Sequence, residues 1–178
     1  MKRISILILA LLFVFQSYSQ IQNSFFGCVL GKTKYDEAVA KLRNQGYQYE
    51  ITNIGGHLSL AISDCRYGGE NWETVLLAFY ENVFFSAFFD ISEITRSKAE
   101  VTNAYNSYSS RLLDKYNDFV LHRMPNDGNK YYFYDSSSET CLEINLKKMS
   151  DNKKDVFYIQ YMDYLLYSKN LENNKNAF

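Results

Sequence analysis

The chain has 178 residues, 17% aromatic and 22% charged, with a formal net charge of −1. That balance leaves no basic field to hold nucleic acid or anionic lipid, and sixteen tyrosines with thirteen phenylalanines carry too much apolar surface for a disordered chain. The single proline, Pro125, argues against a proline-rich linker and against a loop-heavy disulfide scaffold.

At the N-terminus Lys2 and Arg3 precede an apolar run from Ile4 to Phe15, broken only by Ser5. Ser17 and Ser19 stand at the −3 and −1 positions of a cut before Gln20. This is the layout of a secretory signal peptide over residues 1–19, and the run is too short to span a bilayer as a mature helix. The expectation is an exported protein, periplasmic or extracellular, with no transmembrane helix in its mature chain. Removing 19 residues from 178 leaves 159, with 17 basic and 20 acidic side chains, enough for one domain or two small fused halves.

Cys28, Cys65 and Cys141 survive the cut. In an oxidising compartment one pair could bridge, and Cys28 with Cys65 is the expected pair because both belong to the N-terminal half. Three buried thiols acting as small apolar residues are the open alternative. The F-F-G before Cys28 does not suit a lipid-bearing cysteine.

Residues 20–31 read as a short lead-in. Thr33 can then cap a helix, with Asp36 at the third position, and Tyr35, Ala38, Val39 and Leu42 recur at helical spacing until Gly46 stops it. Residues 47–53 form a strand candidate, turned by Gly55 and Gly56. Residues 57–67 alternate, placing Leu58, Leu60, Ile62 and Asp64 on one face and Ser59, Ala61, Ser63 and Cys65 on the other. Gly68 and Gly69 break that run, and two more follow at 72–80 and 83–90, joined by Glu81 and Asn82.

The pattern then recurs. Ser97 with Glu100 makes a capping box, and Val101, Ala104, Tyr105, Tyr108, Leu112 and Tyr116 form the apolar stripe of a long helix that ends near Asn117. Strands are expected at 119–124, 130–135, 140–146 and 156–162, and a polar, asparagine-rich tail from Ser168 is expected to fray. The fold class is therefore α+β: two tandem helix-plus-four-strand units, 20–94 and 95–167, forming one antiparallel sheet with the helices on one face, then the tail 168–178.

Chemistry is nearly silent. Neither His57 nor His122 has a second ligand at metal spacing, and no nucleophile elbow, zinc-protease signature or phosphate loop occurs. No metal or cofactor is expected. Two features suit binding. Arg66, Tyr67 and Trp72 surround a glycine turn with residue types that anchor interfaces. Adjacent aromatics in the run Phe79, Tyr80, Phe84, Phe85, Phe88 and Phe89 must face both sides of the sheet, and Phe84 and Phe88 are the ones expected on an open face.

G-K-T-K-Y-D-E-A-V-A-K-L from Gly31 and G-G-E-N-W-E-T-V-L-L-A-F from Gly68 carry a resemblance. Together with the repeated helix-and-strand order, they are similar to the beta-lactamase inhibitory proteins, whose two halves make one sheet that grips a protein partner. The small outer-membrane-assembly lipoproteins share a related half-size unit. The resemblance implies a non-catalytic, exported or envelope-associated binding protein whose sheet contacts another envelope or secreted protein. A small secreted hydrolase, with a site assembled only in three dimensions, is the alternative.

Overall fold

The computed structural model describes residues 20–123, 130–148 and 154–175. Residues 1–19, expected to form a signal peptide, lie outside the described residues, as do Met124, expected to end the strand 119–124, and residues 125–129, between that strand and the one expected at 130–135.

Among the described residues, ten strands and three helices make an α+β fold. A small hairpin, β1 (Ser24–Phe25) and β2 (Cys28–Val29), precedes α1 (Tyr35–Asn44). Then come β3 (Glu50–Ile54), β4 (His57–Tyr67), β5 (Glu70–Tyr80) and β6 (Val83–Ser92), followed by α2 (Lys98–Lys115). The chain continues through β7 (Val120–Arg123), β8 (Lys130–Asp135), β9 (Thr140–Lys148) and β10 (Asp155–Asp163) into α3 (Tyr164–Lys175). Eight strands form one antiparallel sheet in the order β3-β4-β5-β6-β10-β9-β8-β7. The last strand of each meander thus lies at the centre, and the first at an edge.

Local chemistry explains the tight connections. The turns at Gly55 and Gly56, Gly68 and Gly69, and Glu81 and Asn82 have positive φ at both central residues, the geometry whose twist matches the flanking strands. Ser97 caps α2 with the expected capping box. Thr33 does not cap α1: its hydroxyl accepts a hydrogen bond from the Val29 N–H at 2.8 Å, within the preceding turn, and α1 starts after Lys34 with no side-chain cap.

Register makes the core readable as rows across the sheet. One row runs Tyr131, Ile144, Ile159, Phe89, Val75, Ile62, and the next runs Phe133, Leu142, Tyr161, Ala87, Leu77, Leu60. Ala38 and Leu42 of α1 and Val101, Tyr105 and Leu112 of α2 bury into the same core as these rows. Between the helices sits the first hairpin. Phe25 meets Tyr67, Phe89 and Tyr161 with ring centroids 4.7 to 6.3 Å apart. The expected lead-in is therefore a hydrophobic plug.

Three expectations change. Strict alternation in β4 would bury Asp64 beside Leu60 and Ile62, but Asp64 takes a φ of 48°, which leaves it exposed and turns Cys65 into the core. Burying an unpaired carboxylate would cost far more than one left-handed residue. Cys28 and Cys65, the expected pair, are both free and buried as small apolar groups in that core. Finally, the tail does not fray at Ser168, because α3 extends to Lys175 across one end of the sheet. Asn170 faces His57, Asn173 donates to the Tyr80 hydroxyl, and Lys169 pairs with Glu81 at 2.7 Å. These tertiary contacts hold a helix whose sequence has little amphipathic pattern. No helix among the described residues is long and apolar enough to cross a membrane.

Candidate functional site

The same strands that bury one set of side chains present the other set on the opposite face, which α1 and α2 do not cover. Three rows define it. The first is Lys130, Asn145, Tyr158, Asp90, Thr74, Ser63, and the second Tyr132, Glu143, Gln160, Phe88, Leu76, Ala61. The third, toward α3, is Tyr134, Cys141, Met162, Ser86, Ala78, Ser59. Large aromatic and charged groups fill the β8–β10 side of this face, and small ones line the β4–β5 side.

A polar network occupies the centre. Lys130 Nζ lies 3.0 Å from Glu143 Oε1, with both side chains largely buried. The Tyr158 hydroxyl donates to Glu143 and accepts from the Asn145 amide at 3.1 Å. Burial alone would lower the Lys130 ammonium, but its bonds to Tyr132 and Glu143 and the Glu143 charge hold it above the ordinary lysine value. Burial first, and then the Glu143 carboxylate, push the Tyr158 phenol upward, so it stays a neutral donor. Phe88 lies against Tyr158 with ring centroids 5.0 Å apart, and Gln160 donates to the Ser86 hydroxyl at 2.9 Å.

A carboxylate pair borders the network. Glu73 Oε2 accepts from the Ser92 N–H at 2.9 Å and from its hydroxyl at 2.7 Å. Burial, then the neighbouring Glu73 charge, push the Asp90 carboxyl up to about 6. Among the described residues, Glu73 Oε1, Asp90 Oδ1 and Asn145 Oδ1 are buried and accept no hydrogen bond. All three belong to this face, where native structures leave such groups unmatched only rarely.

The residues expected to bind are divided between two surfaces. Trp72 and Tyr67 meet under the helices, the indole N–H donating to the Tyr67 carbonyl at 3.0 Å. Arg66 is exposed nearby and does not join them. Phe84 is fully buried against Phe79, so it belongs to the core and offers no contact surface. Phe88 alone lies on the open face. Lys130, Glu143, Asn145, Tyr158 and Gln160 escaped the sequence reading, although polar residues at every second position of β9 and β10 carried the signal.

His57 packs on Tyr80 and Phe85, and its Nε2 faces the Asn170 amide at 3.1 Å. The side chain of His122 lies outside the described residues. Among the described residues no cluster of three or more His, Cys, Asp or Glu could hold a metal ion. No protein-family model matches the chain, and comparison with curated proteins and with solved structures gives no significant match.

Proposed function

We propose that this chain is an exported, non-catalytic binding protein that contacts an envelope or secreted protein partner through the open face of its sheet. The observation that carries this reading is the composition of that face. Polar side chains with buried oxygen atoms, Glu73, Asp90 and Asn145, border an aromatic pair, Phe88 and Tyr158, and an ordered Lys130 and Glu143 ion pair. A partner laying an apolar side chain over that aromatic pair would gain from exclusion of water, with the polar groups around it already held in place. The two helix-plus-four-strand stretches are read here as copies of one unit, joined at β6 and β10. Their order is similar in outline to that of the inhibitory proteins named above, which grip a partner with a sheet. Export rests on the signal-peptide layout of residues 1–19.

The test is affinity capture from envelope extract with the purified chain, followed by titration of the captured protein against folded variants. Phe88→Ser, and Lys147→Glu at the exposed lysine whose Nζ lies 5.5 Å from the Tyr158 ring centroid, should each weaken binding at least about tenfold, the scale of one lost interface anchor. Arg66→Ala should leave it unchanged. A partner that binds both open-face variants as tightly as the parent would move the interface elsewhere, and the absence of any specific partner would sink the reading.

A further inference from the structure

On the covered face of the sheet, the aromatic plug and α2 do not close completely. A cavity of about 240 Å³ remains between the first hairpin, the β4–β5 turn and α2. Its walls are Phe25, Trp72, Phe89 and Tyr161, and its mouth carries Tyr108, Arg111 and Lys115. This volume is below the range of drug-sized ligand pockets, and at organic packing density it suits roughly a dozen non-hydrogen atoms.

The polar groups are few and placed at one end. Arg111 and Lys115 stand one helical turn apart on α2, so both reach the same side of the mouth. The Arg111 guanidinium lies 4.2 Å from the Tyr108 ring centroid, and Lys115 Nζ lies 5.0 Å from that of Tyr116. Glu70 lies 3.8 Å from Arg111 in a solvent-exposed and therefore weak pair. Inside, Tyr161 is only 8% exposed, and no hydrogen bond among the described residues engages its hydroxyl. Burial first, then the Glu70 charge, push the Tyr108 phenol up to about 12, and burial raises Tyr161 further, so both face the cavity as neutral phenols.

From this geometry we infer that the cavity binds a small molecule with an aromatic body and one carboxylate, the ring lying against Trp72, Phe25 and Tyr161 and the carboxylate at Arg111 and Lys115. Aromatic walls favour a flat ring over an alkyl chain. A guanidinium and an ammonium at the mouth favour an anion over an alcohol or an amine. This site lies on the opposite side of the sheet from the proposed partner surface and does not depend on it.

Trp72 is the chain's single tryptophan, so its emission reports this cavity alone. The protein is titrated with 3-phenylpropionate, 3-phenylpropanol and 3-phenylpropylamine. The carboxylate should give a saturable change in Trp72 emission, with the alcohol and the amine at least about tenfold weaker, the worth of a charge-assisted contact. Arg111→Gln with Lys115→Gln, both exposed and outside the core, should bring the carboxylate to the level of the alcohol and leave the alcohol unchanged. Equal response to all three probes, an unaffected double variant, or no saturable change up to about 10 mM would overturn the proposal.

Discussion

The two faces of the sheet are written by the same strands, one residue out of step. On the covered face, the row Tyr131, Ile144, Ile159, Phe89, Val75, Ile62 is apolar from end to end. Its neighbour on the open face reads Tyr132, Glu143, Gln160, Phe88, Leu76, Ala61. Both faces hold buried side chains, but by different means. The covered face is shielded by α1, α2 and the first hairpin, so its stability comes from apolar area and close packing. On the open face Glu143 and Tyr158 are each less than a tenth exposed without α1 or α2 over them. They are ordered by one another, through the contacts of Lys130, Glu143, Asn145 and Tyr158. A surface that orders its own polar groups before anything touches it has little freedom left to lose on binding.

The comparison can be broken most severely from the covered side. Phe157 is fully buried against Trp72, Tyr105 and Tyr108, and Phe157→Ala should cost about 3–5 kcal/mol in urea unfolding. Phe88→Ser on the open face should cost about 1 kcal/mol, since the ring there is only partly buried. Equal losses would mean that the two faces are not energetically distinct.

Next in size is the ion pair. Lys130→Met leaves the Glu143 carboxylate uncompensated and should cost about 3 kcal/mol, while the double variant with Glu143→Leu should recover most of that loss. A double variant as unstable as the single one would show that the pair itself stabilises the fold.

Gly31 tests the seam between the plug and the sheet end. Its φ is 71°, and a Cβ there would collide with the Asp163 carboxylate, so Gly31→Ala should cost about 2 kcal/mol. The Gly31 N–H also donates to the Phe84 carbonyl at 2.8 Å, which fixes the close approach.

A pH profile sharpens the electrostatic side. The folded Asp90 carboxyl sits near 6, above its ordinary value of 3.8. Between those values the folded state binds the extra proton, so stability from this group rises as pH falls from 7 and levels off near 4. After allowance for partial exposure the gain is about 1–2 kcal/mol. Asp90→Asn should flatten that rise in thermal-melt profiles. Asp135 has the opposite sign. Burial pushes it up, but hydrogen bonds from Ser137, Ser138 and the Ile21 N–H outweigh burial and leave its carboxyl below the ordinary value. Its contribution is therefore lost only at still lower pH. The smallest effect belongs to the α2 cap, where Ser97→Ala should cost about 1 kcal/mol.

Much of the architecture was legible because strand and helix periods are local. The four strands of the first meander, their glycine turns, the Glu81 and Asn82 turn and the Ser97 capping box all follow from neighbours a few residues apart. The plug was not, since Phe25 and Phe26 show no period and find their places only against Tyr67, Phe89 and Tyr161. Nor was α3, whose contacts reach back to His57 and Tyr80, about a hundred residues away. The candidate site divides in the same way. Trp72 and Tyr67 stand out by residue type, whereas Lys130 meets Glu143 and Tyr158 only through cross-strand register.

The sequence by itself determined the α+β class, the order of α1, α2 and the eight strands of the sheet, and the two-faced character of most strands, because backbone preference and alternation act within a few residues. Tertiary structure alone decided which strands became neighbours at the centre, that Asp64 would turn outward and Cys65 inward, and that polar residues of β8, β9 and β10 would meet beside Phe88. Those outcomes depend on the free energy of burial across the whole sheet, to which strands distant in sequence contribute as strongly as adjacent ones.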